Sequence, residues 1–231
     1  QVALRPTLAL ADESSTRHTL PTNNQSFGCL WESCQTSVSR LWGYTRGERW
    51  RSADDLLGTL VKCAGLGGNF LLNVGPQPDG QFPPEFTQRA LALGEWLKLH
   101  GEAIYGSERG EVTEFVTYGF QTVKNNNLYL IIRFWDGRPT LRLVGLKNTV
   151  RRATLLTTGQ ELGIAQDDRA LVLSGLPPES PTALFPVIRL ECDGRPEANE
   201  WGKCRTWSRH NLALFAEWAR TRGTSVWTDG K

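Results

Sequence analysis

Residues 67–80 read Gly-Gly-Asn-Phe-Leu-Leu-Asn-Val-Gly-Pro-Gln-Pro-Asp-Gly, a short apolar run bracketed by glycines and closed by a Pro-rich exit and an Asp-Gly turn. The run is too short for a helix, and residues 70–72 show no polar alternation. That combination predicts a strand over residues 70–74 covered on both faces, as in a parallel sheet, with Asn73 near its C-terminal end. Helical patterns flank it. Before it, Ser52 is a candidate N-cap with Asp55 three residues on, Leu56, Leu57, Leu60, Val61 and Ala64 share a face, and Gly65 ends the pattern. After it, Pro84 fits a first helical turn, Phe86, Ala90, Leu93 and Leu97 form a stripe, and Gly101 closes the segment. Helix, buried strand, helix is the unit of an α/β barrel or a doubly wound sheet, and barrels gather functional groups at the C-terminal ends of their strands.

From residue 111 the period changes. Short alternating runs occupy 119–123, 128–134, 140–143, 150–156, 170–173 and 187–191, separated by turn signals at Asn125-Asn126-Asn127, Asp136-Gly137 and Pro177-Pro178. This spacing suggests an antiparallel β-sandwich. Residues 1–28 read as one short strand and a long polar loop. Past Asp193-Gly194 lies a polar, Trp-bearing segment with one amphipathic helix over 212–222, capped by Asn211 and stopped by Gly223. The expected fold class is therefore α/β plus all-β: residues 1–107 the C-terminal portion of a (β/α)8-like barrel, 108–193 a β-sandwich, and 194–231 an extension.

A chain of 231 residues can bury a core in two compact pieces. Its 26 basic and 24 acidic residues are spread along the sequence, so the net charge of +2 leaves no footprint for nucleic acid. No apolar run reaches the roughly 20 residues of a membrane span, and no signal-like segment opens the chain. Gln1 is not an initiator and methionine is absent, which reads as a fragment or a processed chain. Five cysteines without paired CxxC spacing suggest buried thiols, with a Cys29–Cys34 bridge as the other option. Asn24-Gln25-Ser26 is a glycosylation sequon, relevant only in a secretory context. His18, His100 and His210 are far apart and lack metal-ligand spacing, and Gly65-Leu66-Gly67-Gly68-Asn69-Phe70 has Phe where a dinucleotide loop needs its third Gly. Neither a metal nor a cofactor is expected.

Glu32 is the best candidate for chemistry. It lies beside Trp31, with Trp42 ten residues on. A carboxyl shielded by indole rings loses hydration, and its pKa rises toward that of a general acid. The other reading is an ordinary exposed Glu or a capping role. Trp42 is either the apolar wall of a sugar site or a core side chain. Asn69 and Asn73 either bind hydroxyls or satisfy nearby backbone.

Trp31-Glu32-Ser33-Cys34, Trp42-Gly43-Tyr44, the 67–80 stretch and Gly101-Glu102-Ala103-Ile104-Tyr105 together resemble the α-L-fucosidases of glycoside hydrolase family 29. The similarity covers residues 29–107, with His100 standing where the family usually has Asn. It implies a retaining hydrolase of α-L-fucosides that uses no cofactor and takes a fucosylated glycan as partner. Secretion, or a periplasmic location, is implied by family habit. It assigns Glu32 as general acid/base, with Trp31, Trp42 and Asn69 as substrate-binding residues. The family's nucleophile is an Asp in a W-x-D-G-like motif upstream of the acid segment, which this sequence lacks before Glu32. Trp227-Thr228-Asp229-Gly230 reads as a chance echo of that motif. The isolated chain is therefore expected to be inactive. The alternative is a non-catalytic carbohydrate-binding or scaffold remnant, for which nine tryptophans supply stacking surface.

Overall fold

The computed structural model describes residues 31–110, 112 and 119–199, which fall into two compact units. The expected first strand and loop of residues 1–28, the sequon, the Cys29 pairing, the helix over 212–222 and Asp229 lie outside the described residues.

The first unit contains residues up to Gly110 together with Thr122–Lys124. Its framework is β1 (Glu32–Thr36), α1 (Ala53–Gly65), β2 (Asn69–Asn73), α2 (Pro84–His100), a 3-10 turn (Gly101–Ala103) and β3 (Glu108–Arg109). β1 and β2 pair in parallel, with Glu32 opposite Asn69 and Thr36 opposite Asn73. The N-cap is as the sequence suggests: the Ser52 hydroxyl accepts from the Asp55 backbone N–H at 3.1 Å. On α1, Leu56, Leu57 and Val61 are buried, joined by Cys63. The left-handed residue after this helix is Gly67 (φ 76°), two positions past the expected stop.

α2 begins at Pro84, where the missing N–H costs nothing. Its buried stripe is Leu93, Trp96 and His100, with Ala90 exposed. The expected stripe is thus rotated toward Trp96, whose large surface gains more from burial than the methyl of Ala90. Gly101 does not turn the chain left-handed; the helix tightens into the 3-10 turn, and Gly106 (φ 66°) makes the turn. β3 pairs with Thr122 and Val123, and the Thr122 hydroxyl donates to the Ala103 carbonyl at 2.6 Å.

His100 is buried beside the Trp96 ring, with Nδ1 3.1 Å from the Trp96 carbonyl. Burial holds its pKa below the ordinary imidazole value, opposed in part by that hydrogen bond and by Glu102. The fold therefore keeps His100 neutral while the unfolded chain takes up a proton near pH 6.5. This contribution to stability is complete above that pH and is lost as pH falls below it, by at most about 1.4 kcal/mol per pH unit. Urea denaturation at pH 7.5 and pH 5 is expected to show a smaller pH dependence in His100→Asn than in the wild type. Equal dependence in both would refute the assignment.

The second unit is built from antiparallel strands. They are β4 (Gly119–Lys124, its last three residues in the first unit), β5 (Asn127–Ile132), β6 (Thr140–Val144), β7 (Val150–Leu155), β8 (Gln160–Glu161), β9 (Gly163–Gln166), β10 (Ala170–Ser174) and β11 (Val187–Cys192). One sheet runs β5-β11-β7-β8 and another β6-β10-β9. Leu128, Tyr129, Leu130, Ile131 and Ile132 are all buried, as are Val187, Ile188 and Leu190 on the neighbouring strand. By contrast β6 alternates, with Leu141 and Leu143 in and Thr140, Arg142 and Val144 out. Asn125 (φ 54°) makes the turn between β4 and β5, in a conformation Asn tolerates better than most side chains. Burial pushes the Cys192 thiol up to about 11.

Candidate active-site segment

Neighbouring residues in a strand leave it on opposite faces, and this decides what β1 can present. Trp31, Ser33 and Gln35 are buried. Trp31 packs with Cys63 of α1, Leu66 and Phe70, and its ring lies so close over Gly68 that a Cβ there would fall 2.2 Å from it. Glu32 is exposed and faces the other way. The Trp31 indole therefore packs into the core beneath β1 and does not shield the Glu32 carboxyl.

The parallel register aligns Glu32, Cys34 and Thr36 with Asn69, Leu71 and Asn73. Glu32 and Asn69 are exposed and Leu71 is 43% exposed, so this side of the pair is open among the described residues. Among the described residues β2 is covered on one face only, by α1. Glu32 and Asn69 come together at the N-terminal ends of the two strands.

Trp42 is held at the other end. Residues 37–51 leave β1 and return as a loop closed at its base by pairing of Val38 with Trp50, Ser39 N–H to the Arg49 carbonyl (2.9 Å), and Arg51 N–H to the Ser37 carbonyl (3.0 Å). Arg51 is buried and spreads its guanidinium over Asp55 (2.6 Å), the Thr59 hydroxyl (2.7 Å) and the Thr36 carbonyl (3.3 Å). The loop tip is fixed by Asn73, whose side-chain amide donates to the Trp42 carbonyl at 2.7 Å. Its own carbonyl accepts from Ser37 N–H at 3.0 Å. Beneath the tip lies Gly75, where a Cβ would sit 2.2 Å from the Tyr44 nitrogen. Trp42 is 42% exposed among the described residues.

Four strand steps separate the Glu32–Asn69 level from the Thr36–Asn73 level, about 13 Å. The structure thus brings Glu32 together with Asn69, and Trp42 together with Asn73, as two groups at opposite ends of one strand pair. Sequence reasoning left Asn73 undecided and missed Arg51 and Gly75. The signal for Asn73 and Gly75 was available only as an amide and a glycine at the exit of β2.

The family model described as alpha-L-fucosidase matches residues 10–102. The tissue alpha-L-fucosidase of Mus musculus is 34% identical over 160 residues, which are 67% of this chain and 35% of that protein. A crystal structure of a GH29 alpha-L-fucosidase from Bacteroides thetaiotaomicron superposes with a TM-score of 0.69 at 28% identity, over 78% of this chain and 42% of that one. This chain belongs to the α-L-fucosidase family. The fucosidase of Rattus norvegicus gives the same result, 35% identical over 176 residues, 74% of this chain and 37% of that protein. The chain thus spans about a third of the length of the curated fucosidases it matches. Both residue groups described above fall within the segment that the family model matches.

Proposed function

We propose that this chain is the C-terminal part of a retaining α-L-fucosidase that hydrolyses terminal α-L-fucosides of glycoconjugates or oligosaccharides. Residues 1–107 supply the last strands and helices of a (β/α)8-like barrel, 108–193 a β-sandwich, and 194–231 an extension. The observation that carries the reading is the parallel β1–β2 pair, covered by α1 on one face and open on the other, with Glu32 on the open face. Two neighbouring strands of a barrel present that arrangement, and the open face becomes the interior when the remaining strands close around it.

In the retaining scheme one carboxylate attacks the anomeric carbon while a second carboxyl, about 5 Å away, protonates the leaving oxygen and then deprotonates the incoming water. Glu32 is the second group in this proposal. The attacking Asp comes from the barrel segment that precedes the described residues in the full-length protein. The Bacteroides thetaiotaomicron relative supports this scheme, since its covalent intermediate was trapped with a 2-fluoro-fucosyl fluoride in a glutamate-to-glutamine variant.

Glu32→Gln in the full-length protein is the test. Loss of a general acid/base lowers kcat/KM by about 10²- to 10⁴-fold. The loss should be greater for a fucosyl-sugar than for an aryl fucoside, whose leaving group needs less protonation. A loss below tenfold that is equal for both substrates would move the acid role to another carboxyl. The 231-residue chain alone should not turn over an aryl fucoside, and substantial turnover would give Asp229 the nucleophile's role.

A second reading has its own support, because Glu32 opens β1 instead of ending it, whereas barrels gather chemistry at the C-terminal ends. In that reading the chain is a carbohydrate-binding or scaffold remnant. Fucose affinity unchanged by Glu32→Gln, without hydrolysis by the full-length protein, would favour it.

A further inference from the structure

We infer that Asn73 is a positioning residue: without touching the sugar, it sets how Trp42 is presented, by clamping the loop of residues 37–51 across the C-terminal ends of β1 and β2. The inference rests on the fucosidase reading for its effect on substrate, while the clamp itself rests on geometry alone.

A loop with an exposed aromatic tip has many conformations open to it, and ordering it costs conformational entropy at every residue. The base pairing at Val38 and Trp50 fixes where the loop starts and ends, not where its tip lies. Three contacts hold the tip: the Thr36 hydroxyl at the end of β1 donates to the Leu41 carbonyl at 3.0 Å, and two more come from the exit of β2. The Asn73 amide donates to the Trp42 carbonyl, the backbone group of the residue whose indole is displayed. Gly75 lets the Gly43–Tyr44 backbone approach closer than any side chain would allow. With its amide donating to the Trp42 carbonyl, Asn73 acts through the loop and not on the sugar. Trp42, 42% exposed on the held tip, is the group left to meet a ligand. An indole face suits the methyl and ring hydrogens of a 6-deoxy sugar.

The discriminating substitution is Asn73→Asp, which keeps the shape but replaces the amide donor with an oxygen facing the Trp42 carbonyl. The loop carries its own reporters in the exposed Arg40 and Arg46. In the 231-residue chain, tryptic cleavage at these two sites should be at least about tenfold faster in the variant, with cleavage elsewhere unchanged, as loss of one hydrogen bond in a local opening equilibrium implies. Cleavage at the wild-type rate would overturn the clamp.

In the full-length protein, Asn73→Asp should raise KM for a fucoside about fivefold to tenfold with kcat within threefold of wild type, the pattern of lost uniform binding. A merely structural defect would lower the active fraction, and so kcat, with KM unmoved; that result would overturn the positioning role. In a Trp42→Ala background Asn73→Asp should add nothing to KM. If Trp42→Ala itself leaves KM unchanged, the sugar-contact role of Trp42 fails. The proteolysis result then decides the clamp by itself.

Discussion

Gly75→Ala is expected to detach the Trp42 loop from the strand ends and lower the stability of the first unit by about 2 to 3 kcal/mol. The added methyl would lie 2.2 Å from the Tyr44 nitrogen, 2.4 Å from the Gly43 carbonyl carbon and 2.8 Å from the Tyr44 Cα. All three are backbone atoms, so no rotamer change relieves the contact. The loop tip must lift, and the 2.7 Å bond from Asn73 to the Trp42 carbonyl goes with it. Gly75 is not in the left-handed region, so the requirement is for space and not for backbone freedom. For a unit of this size such a loss lowers the melting temperature by about 10 °C, measurable by thermal denaturation of the 231-residue chain. The same variant should be cut rapidly at Arg40 and Arg46. Wild-type melting together with wild-type cleavage would show that the loop does not rest on Gly75.

The second large effect is expected at Gly68. A Cβ there would lie 2.2, 2.3 and 2.4 Å from three atoms of the Trp31 indole. That ring is 5% exposed and held between Cys63, Leu66 and Phe70, so it has no room to withdraw. Forcing a methyl into such packing costs about 3 kcal/mol. Trp31→Leu on its own leaves a void and also destabilises, by about 3 kcal/mol. In the double variant the smaller side chain makes room for the methyl, so the two losses should be markedly less than additive. Denaturant unfolding of the four proteins measures this coupling. Strict additivity would mean that the ring and Gly68 do not meet.

These two glycines explain much of what made residues 67–80 recognisable. Gly68 seats the indole of the Trp31-Glu32 motif, and Gly75 seats the backbone of Trp42-Gly43-Tyr44. Motifs that lie far apart in sequence are thus two sides of the same contacts, one pair at each end of the β1–β2 ladder. What reads as a fingerprint is a packing requirement.

Local chemistry was legible without coordinates wherever the causes are local. The Ser52 cap, the 3.6-residue face of Leu56, Leu57 and Val61, the period-2 strands such as β6, and the turn at Asn125 follow from neighbouring residues in the chain. β8 and β9 were not legible. Gln160–Glu161 and Gly163–Gln166 are short, largely exposed edge strands, defined by the partners they pair with and not by a face they bury. The stripe of α2 was misread because the competition between Ala90 and Trp96 for the interior is settled by packing.

Motif identity and hydrophobic period are properties of the chain, so the family and the helix-strand-helix order of the first unit were readable from the residues alone. Which of the marked residues share a place is set by the folded strands and their register. Strand alternation sends Trp31 into the core and Glu32 to the open face. The parallel register puts Glu32 beside Asn69 at one end of the ladder, and the hydrogen bond from Asn73 fixes the Trp42 loop at the other. Proximity along the chain could not anticipate this, since a strand reverses its facing at every residue and carries its ends apart by about 3.3 Å with each one.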